Sequence, residues 1–280
     1  MVNAGAAAVD ERPVALVTGA AGELGRAISQ RLADAGHALA LFERDEATAA
    51  ALRQDMPGDC LVLAADQTDR GAIDQAMDKV RAHFGRLDVV VANAGYAKFT
   101  GFLEMEPAIW DRHVAINLSG TFHICQAAAR LIAEGRRGGS IAVISSSLGL
   151  RHADQIGAYC ATKSALLMLV QTMAAELGIH RIRANAILPG VIETAMTKWM
   201  VEKPGVRRDL LQKTPIGRLG LTDDIAEAVA FLCSDKAGFI TGANLSVDGG
   251  QSIYGQPAWT RQDRSIPFEP EWTAGLGDEA

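Results

Sequence analysis

Seven short apolar runs alternate with longer segments of helical character, and this alternation constrains the fold more than any other feature of the chain. The runs are Val14–Thr18, Ala38–Phe42, Cys60–Ala64, Leu87–Ala92, Ser140–Ser145, Arg183–Leu188 and Asn244–Val247. They lack polar alternation, which is typical of strands buried on both faces of a parallel sheet. The intervening segments carry helix signals, such as Asp69 as a cap before Arg70–Phe84. The pattern predicts an α/β fold: one doubly wound parallel sheet of about seven strands with helices on both faces.

No internal linker or repeat interrupts this alternation, so we expect a single domain over residues 13–250. Residues 1–12 are predicted to form a flexible N-terminal tail, and residues 251–280 a C-terminal extension. The extension contains Trp259 and Trp272 among several prolines. Disordered segments are poor in aromatic residues, so the two tryptophans suit an extension that docks on folded structure. Simple disorder of the extension remains open as well.

Charge and cysteine usage narrow the class of protein. The formal net charge of −6 disfavours a nucleic-acid binder and offers no basic patch for a membrane surface. The N-terminus does not have the pattern of a secretory signal, and no stretch approaches the roughly 18 apolar residues of a membrane span. The four cysteines lie far apart, at Cys60, Cys125, Cys160 and Cys233. This usage predicts a cytoplasmic protein with reduced thiols and no metal site.

The segment TGAAGELG, residues 18–25, follows the first predicted strand and opens the first predicted helix. In doubly wound sheets such a turn lets the backbone approach the pyrophosphate of a dinucleotide at a helix N-terminus. The candidate cofactor contacts here are Gly19, Gly22, Leu24 and Gly25. Glu23 is unexpected in this turn, because its carboxylate would lie close to two phosphates.

The end of the second predicted strand bears on the choice of dinucleotide. Glu43 lies 18 residues after Gly25, where an acid can accept hydrogen bonds from the adenosine ribose hydroxyls of NAD. The same charge would repel the 2′-phosphate of NADP, and no lysine or arginine lies within the glycine-rich turn. Arg44 follows directly and could pair with such a phosphate. NAD is the predicted cofactor, and NADP remains the alternative.

Ser146, Tyr159 and Lys163 form a second pattern, in the stretch SSSLGLRHADQIGAYCATK. Positions i and i+4 share one face of a helix, so Tyr159 and Lys163 would be neighbours. A free tyrosine has a pKa of about 10, and a nearby ammonium group favours the phenolate. A serine at the end of the adjacent strand can hold a substrate oxygen, and the spacing favours Ser146 over Ser145 and Ser147. Such a trio can move the proton of a hydroxyl group while a hydride leaves the carbon.

These motifs together resemble the short-chain dehydrogenase/reductase family in its shorter, single-domain form, over roughly 14–250. In order, the matching segments are TGAAGELG, Asp66 in AADQTD, NAG at Asn93–Gly95, Asn117 in VAINLSG, Ser146, Tyr159 and Lys163 in YCATK, Pro189 and Gly190 in LPGVIET, and TGANLSVDGG at 241–250. The resemblance implies a Rossmann-type fold and an NAD(P)-dependent oxidoreductase that acts on an alcohol or a ketone.

The resemblance also implies roles for the matching residues. Tyr159 would be the general acid/base and also a cofactor contact, Lys163 would lower its pKa and hold the nicotinamide ribose, and Ser146 would orient the substrate oxygen. Asn117 would support a water that relays the proton, with a helix-kink residue as the simpler alternative. The implied cofactor contacts are Asp66 and Gln67 at the adenine, Asn93, Ala94 and Gly95 on the ribose side, Pro189, and Ile192 and Thr194 at the carboxamide.

Two positions depart from the family pattern. The shorter form has glycine where this chain has Glu23, and glycines at 19, 22 and 25 instead resemble the extended branch that includes sugar-nucleotide epimerases. Chain length and the VDGG ending favour the shorter form. Glu23 is therefore interpreted as a tolerated substitution whose carboxylate turns to solvent or caps the helix. Gln67 replaces an aliphatic residue, with little expected effect because its backbone amide would contact the adenine.

The substrate is expected between the Ser146–Tyr159 segment, the loop after Gly95 and the stretch 195–213, which is predicted to be a helical flap over the nicotinamide. These loops contain Lys98, Arg151, His152, Asp154 and Gln155. Such side chains favour a small polar substrate such as a polyol, sugar or hydroxy acid, although solvated loops would look the same. The family commonly pairs the helices that correspond to 118–134 and 157–177, so we expect a homotetramer.

Three other functions remain as alternatives to an NAD-dependent oxidoreductase of a small secondary alcohol or ketone. An NADPH-dependent 3-oxoacyl-thioester reductase is disfavoured by Glu43 and kept open by Arg44. A catalytically silent NAD-binding regulatory protein would be expected to lose Ser146, Tyr159 or Lys163, and all three are present. An extended-type epimerase is disfavoured by the length of the chain.

Overall fold

The central sheet is built from the seven runs that the sequence singles out. In the computed structural model, which describes residues 12–55 and 60–253, the strands are β1 Val14–Thr18, β2 Ala38–Glu43, β3 Cys60–Ala64, β4 Val89–Ala92, β5 Gly139–Ile144, β6 Ile182–Pro189 and β7 Asn244–Val247. Every neighbouring pair is parallel, in the order β3-β2-β1-β4-β5-β6-β7. The predicted doubly wound α/β fold is confirmed.

Helices connect the strands, and the signals in the sequence mark several of their ends. They are α1 Glu23–Asp34, α2 Glu46–Asp55, α3 Arg70–Phe84, α4 Pro107–His113, α5 Thr121–Gly135, α6 Gly157–Leu177, α7 Ala195–Val201, α8 Pro204–Gln212 and α9 Thr222–Cys233. Asp69 caps α3 by accepting hydrogen bonds from the N–H groups of Gly71 (2.8 Å) and Ala72 (3.1 Å). The predicted flap consists of α7 and α8.

Two apolar cores cover the faces of the sheet, because successive side chains of a strand point to opposite sides. On one face, Leu16 of β1 lies in the same cluster as Ile124 of α5 and Leu166 of α6. On the other face, Val17 of β1 lies in the same cluster as Val229 of α9, together with residues of α1 and α2. Burial on both faces explains why the strands read as continuous apolar runs.

The order of the strands positions the candidate site. From β1 the chain builds outward to β2 and β3, then returns to place β4 on the other side of β1. This reversal opens a crevice at the carboxyl ends of β1 and β4, where doubly wound sheets bind their ligands. Thr18 joins the two strand ends, since its Oγ1 accepts hydrogen bonds from the N–H groups of Asn93 and Ala94, both at 3.0 Å.

One helix differs from the sequence-based expectation. A regular helix is predicted over 118–134, but a π-helical segment, Val114–Gly120, joins α4 to α5. Asn117 lies in the middle of this segment and is fully buried. Single π-helical turns within α-helices are frequent at functional sites.

The ends of the chain bear on the predicted domain limits. The predictions for the N-terminal tail and for Trp259 and Trp272 fall on residues outside the described part. Gln251, assigned from sequence to the extension, is buried and begins the 3₁₀ turn Gln251–Ile253. Packed structure therefore continues past residue 250. Within 12–55 and 60–253, no helix is both long and apolar enough to cross a bilayer.

Candidate active site

A cleft of about 940 Å³ runs along the carboxyl ends of the strands. The predicted site residues that line it are Gly19, Gly22, Leu24, Gly25, Glu43, Asp66, Gln67, Asn93, Ala94, Gly95, Ser146, Tyr159, Lys163, Pro189, Ile192 and Thr194. Asn117 is the predicted residue that does not line the cleft. The fold thus brings together side chains from loops that are far apart in sequence, although their roles stay predictions.

The glycine-rich turn depends on glycine at two positions. Gly19 has a φ of +63°, in the left-handed region that residues with a Cβ rarely adopt. At Gly25 a Cβ atom would lie 2.1 Å from the carbonyl oxygen of Gly19, so α1 can approach the turn this closely only with glycine there. The first N–H groups of α1, which have no partner within the helix, thereby lie beside the cleft. Free N–H groups at a helix N-terminus are a binding site for a phosphate. We call this arrangement of the glycine-rich turn and the start of α1 the phosphate cradle.

The turn Asn93–Gly95 connects the glycine-rich turn to the other end of the cleft. The side-chain Nδ2 of Asn93 donates hydrogen bonds to the carbonyl oxygens of Thr18 (3.0 Å) and Gly19 (3.2 Å). A Cβ atom at Gly95 would lie 3.6 Å from Nζ of Lys163. The backbone of this turn therefore lies between the phosphate cradle and the lysine.

Glu43 and Arg44 are engaged by different partners at the end of β2. One carboxylate oxygen of Glu43 accepts a hydrogen bond from the N–H of Ala21 at 2.6 Å, which holds the acid beside the glycine-rich turn. The Arg44 side chain is 67% exposed and pairs with Asp45 at 3.1 Å. In the same cleft, Asp66 accepts hydrogen bonds from the N–H and the hydroxyl of Thr68. Glu43 is therefore held in the cleft, while the carboxylate of Asp45 partly neutralises the guanidinium of Arg44.

Glu23 is exposed, as one of the two expected arrangements requires, and it also makes a contact that the sequence does not suggest. It makes no side-chain cap on its own helix, and its carboxylate instead accepts a hydrogen bond from the N–H of Ala195, the first residue of α7, at 2.9 Å. Glu23 is exposed, in line with the expected solvent-facing carboxylate, but the helix that it contacts is α7 and not its own helix α1. The physical reason is that the start of α7 lies within reach across the cleft and offers a backbone donor.

Ser146, Tyr159 and Lys163 meet in the same cleft. Ser146 follows β5, and α6 presents Tyr159 and Lys163 one turn apart. The Ser146 side chain lies close enough to the Tyr159 phenol to act on its pKa, and its Oγ accepts a hydrogen bond from the N–H of Leu148 at 3.1 Å. Nζ of Lys163 lies 5.5 Å from the centroid of the Tyr159 ring and donates a hydrogen bond to the carbonyl oxygen of Ile144 at 2.7 Å. The geometry brings together a hydroxyl donor, a phenol and an ammonium group.

Burial is the largest influence on the pKa values of Tyr159 and Lys163. It raises the pKa of Tyr159 above its ordinary value, against the opposing effect of the Ser146 side chain. It also lowers the pKa of Lys163 to about 8. The sequence-based expectation that Lys163 lowers the Tyr159 pKa does not describe the net shift, because desolvation disfavours the phenolate more strongly. The protonated phenol is therefore the stable form at neutral pH.

The depressed pKa of Lys163 should make stability depend on pH. Between about 8 and 10.5 the unfolded chain binds the Lys163 proton and the folded protein does not, so the free energy of unfolding should rise with pH. The full rise attributable to this group is about 3 kcal/mol. Denaturant unfolding of the wild type and of Lys163→Met at pH 7.5, 8.5 and 9.5 measures it. An equal rise of the free energy of unfolding with pH in the wild type and in Lys163→Met would contradict the expectation.

The Asn117 side chain is occupied by protein contacts. Its Oδ1 accepts a hydrogen bond from the N–H of Tyr96 (2.8 Å), and its Nδ2 donates to the carbonyl oxygen of Tyr96 (2.9 Å) and to Oγ1 of Thr162 (3.2 Å). Thr162 precedes Lys163 on α6. Asn117 therefore ties the segment after β4 to the helix that carries the lysine, and its predicted part in a proton relay stays a prediction.

Gln67 has a structural role that the sequence reading missed. Its side-chain Nε2 donates a hydrogen bond to the carbonyl oxygen of Ile116, within the π-helical segment, at 2.8 Å. Gly120 makes room for this side chain, since a Cβ atom there would lie 2.6 Å from Cγ of Gln67. An aliphatic residue could not make this bond, and the expected adenine contact of the Gln67 backbone amide stays a prediction.

Other cleft residues also escaped the sequence reading. Tyr96 and Arg112 both line the cleft, with the guanidinium carbon of Arg112 4.6 Å from the centroid of the Tyr96 ring. An aromatic residue directly after the NAG motif was the available signal. For Arg112 the sequence offered none, because an exposed arginine on a helix is ordinary.

Gln251 connects three loops around the cleft. Its Oε1 accepts a hydrogen bond from the N–H of Val191 (3.0 Å), and its Nε2 donates to Oγ1 of Thr214 (2.8 Å). Its backbone carbonyl accepts a hydrogen bond from Arg151. Gln251 thus holds the chain just before α7 and just after α8, and the only sequence signal was its position directly after VDGG.

The polar loop residues that suggested a polar substrate lie elsewhere. None of Lys98, Arg151, His152, Asp154 and Gln155, all of which the structure describes, is among the residues that line the cleft. Instead the flap approaches the loop after β4 through an edge-to-face contact of Phe99 and Trp199, with ring centroids 5.0 Å apart. A direct contact of the five polar residues with substrate stays a prediction.

Comparison with known proteins agrees with this geometry. Residues 19–252 match the family model described as Enoyl-(Acyl carrier protein) reductase. The (3R)-3-hydroxyacyl-CoA dehydrogenase of Rattus norvegicus is 40% identical over 250 residues, covering 85% of this chain and 95% of that protein. The D-threitol dehydrogenase of Mycolicibacterium smegmatis is 39% identical over 244 residues, covering 86% of this chain and 93% of that protein.

A solved structure shows the same likeness. The 3-ketoacyl-(acyl-carrier-protein) reductase from Brucella melitensis, complexed with NADH, has a TM-score of 0.79 and 31% identity, covering 86% of this chain and 98% of that one. The relatives are oxidoreductases of hydroxyl and keto groups, and the family model matches the chain from the glycine-rich turn to Ser252. This chain belongs to the short-chain dehydrogenase/reductase family, in its single-domain form.

Proposed function

We propose that the protein is an NAD-dependent oxidoreductase that interconverts a secondary alcohol and its ketone. The observation that carries the proposal is one cleft lined by Ser146, Tyr159 and Lys163 as well as by Glu43 and Asp66. A nucleotide-binding protein without activity would need only the second group. The phenol, hydroxyl and ammonium beside it favour an enzyme.

The residues of the cleft fit a nicotinamide dinucleotide. The cradle formed by Gly19 and Gly25 would take the pyrophosphate, and Asp66 would contact the adenine. Glu43 would accept the ribose hydroxyls with the carboxylate oxygen that Ala21 leaves available. NAD is favoured over NADP because Glu43 is fixed beside the turn and Arg44 is paired with Asp45. When bound, the nicotinamide supplies or accepts the hydride.

The chain's own residues would handle the proton and the substrate oxygen. In the direction of reduction, the Tyr159 phenol gives its proton to the oxygen of the ketone, and the Ser146 hydroxyl donates a hydrogen bond to the same oxygen. In the direction of oxidation, the Tyr159 phenolate takes the proton of the hydroxyl group. Below a pH of about 8, where Lys163 keeps its proton, its positive charge favours that phenolate. Because burial raises the Tyr159 pKa, oxidation should be faster at alkaline pH.

Two substrate classes are compatible with the cleft. A small polyol, sugar or hydroxy acid is the first candidate, supported by the likeness to D-threitol dehydrogenase. A 3-hydroxyacyl thioester is the second, supported by the likeness to (3R)-3-hydroxyacyl-CoA dehydrogenase and by the apolar pair Phe99 and Trp199 beside the flap.

We further propose a cytoplasmic homotetramer that binds neither nucleic acid nor membranes. The four cysteines are widely spaced in the sequence and include no C-x-x-C pair, a usage that a reducing compartment favours. Apolar side chains face outward on the two helices that would pair with a second copy: Phe122 of α5 is 40% exposed and Met168 of α6 is 64% exposed.

Turnover assays at mildly alkaline pH test the proposed function. We expect nicotinamide reduction with NAD and slower reduction with NADP, on a panel of polyols, sugars, hydroxy acids, simple secondary alcohols and 3-hydroxybutyryl-CoA. Turnover only with NADP would mean that Arg44 outweighs Glu43. Measurable NAD binding without turnover of any panel member would instead favour the silent binding protein.

A further inference from the structure

The side chain of Glu23 bridges the two walls of the cleft. Glu23 is the first residue of α1, and Ala195 is the first residue of α7, at the start of the flap. Both residues line the cleft, and the carboxylate oxygen Oε2 of Glu23 lies 2.9 Å from the backbone nitrogen of Ala195. The two residues are 172 positions apart in the sequence, so the contact is a tertiary one that depends on how the chain folds.

The backbone at Glu23 explains why a side chain is tolerated at a position that is glycine in the family pattern. Gly22 precedes the helix with a φ of −66°, and among the described residues Glu23 is not one with a positive φ. The special geometry of the turn falls on Gly19 and Gly25 instead. Position 23 can therefore carry a long side chain without backbone strain.

The donor at Ala195 is equally specific. The N–H of the first residue of a helix has no acceptor within the helix and must find one elsewhere. The hydroxyl of Thr197 does not serve Ala195: it is hydrogen-bonded to the N–H of Thr194 and to the carbonyl oxygens of Ile192 and Thr194. The Glu23 carboxylate supplies the acceptor for Ala195, and its charge strengthens the bond.

We propose that this hydrogen bond, the Glu23 latch, holds the start of the flap against the glycine-rich turn and slows the exchange of the bound dinucleotide. The proposal rests on the proposed function, because it assigns the cradle to a pyrophosphate. A dinucleotide bound along the cleft would lie between the two walls that this exposed hydrogen bond connects. Glu23 acts here through the flap, as a positioning residue.

A competing effect of the same residue has the opposite sign. A carboxylate beside the cradle repels a bound pyrophosphate, which would speed release of the dinucleotide and weaken its binding. Two substitutions separate the effects. Glu23→Asp keeps the charge but is shorter by one methylene, about 1.5 Å, and cannot reach Ala195 from the same backbone. Glu23→Gln keeps the length and one acceptor oxygen but removes the charge.

The first measurement is the rate of NADH release, followed by stopped-flow fluorescence after a chase with excess NAD. We expect Glu23→Asp to release NADH roughly 2- to 12-fold faster than the wild type, the range of one ordinary hydrogen bond, and Glu23→Gln to fall between them. Slower release in Glu23→Gln with unchanged release in Glu23→Asp would overturn the latch in favour of repulsion. Glu176→Gln, on α6 about 25 Å from Tyr159, is the control for loss of a surface charge.

The second measurement needs no cofactor. Hydrogen exchange of the free protein should be faster in the peptide that covers α7 in Glu23→Asp, and unchanged there in Glu176→Gln. Unchanged exchange in Glu23→Asp would overturn the latch, and so would faster exchange without faster release. A wild type that binds neither NADH nor NADPH would overturn the proposed function, while hydrogen exchange would still decide whether Glu23 holds the flap.

Discussion

Replacing Tyr159 by phenylalanine should lower kcat by roughly 10²- to 10⁴-fold, the usual contribution of a positioned general acid or base. The ring and its packing remain, but the group that exchanges a proton with the substrate oxygen is lost. Steady-state kinetics in both directions measure the loss. Because the phenol is not part of the phosphate cradle, NAD binding measured by fluorescence titration should change little.

Tyr96→Phe is the matched control for this experiment. It removes a phenol hydroxyl from the same cleft but keeps the ring that lies under the Arg112 guanidinium. We expect little change in kcat. If Tyr159→Phe retained a kcat within tenfold of the wild type, a different group would have to transfer the proton. Loss of activity in both variants would point instead to a general disturbance of the cleft.

Gly25→Ala should damage the cofactor site and the fold together. The new Cβ would lie 2.1 Å from the carbonyl oxygen of Gly19 and 2.8 Å from Cα of Ala20, which is backbone and cannot rotate away. Overpacking of this kind costs roughly 1–3 kcal/mol, which lowers Tm by roughly 2–12 °C in a protein of this size. Displacement of the turn by about 1 Å should lower kcat/KM for the cofactor by on the order of 10²-fold.

Gly22→Ala controls for the added methyl group in the same turn. A Cβ at Gly22 meets only the carbonyl oxygen of Gly19, at 3.5 Å, which is ordinary van der Waals contact. We expect its Tm to match that of the wild type by differential scanning calorimetry. Equal Tm values for Gly25→Ala and Gly22→Ala would show that α1 can move away from the turn.

The sheet was predictable because burial on both faces leaves an unambiguous trace in the sequence. The limits of the strands were less so. The sequence predicts a strand that begins at Leu87, but β4 begins at Val89. Leu87 is 2% exposed, so its apolar character reflects packing and not strand pairing. The π-helical segment Val114–Gly120 was missed for a related reason, since a few residues do not distinguish its period from that of an α-helix.

The site divides in the same way. Residues that belong to contiguous motifs, such as Tyr159 and Lys163, were located on the cleft by their spacing. Contacts between distant segments could not be read, because they depend on how far a side chain reaches across a cleft whose width the sequence does not state. Glu23 and Gln67 are examples, since both were judged from their own segments alone. The direction of the Tyr159 pKa shift likewise depends on burial, which spacing does not reveal.

The two hydrogen bonds of the Gln251 side chain affect how such an enzyme can change its substrate preference. The predicted trio of serine, tyrosine and lysine follows β5 or lies on α6. The flap joins the rest of the domain near Val191 and Thr214, and the Gln251 side chain is hydrogen-bonded to both of these residues. The helices α7 and α8 can vary in length and composition while Gln251 holds both ends of the flap, and the predicted carboxamide contacts Ile192 and Thr194 lie before α7. Selection for a new substrate can therefore act on α7 and α8, and directed evolution could start by randomising these two helices alone.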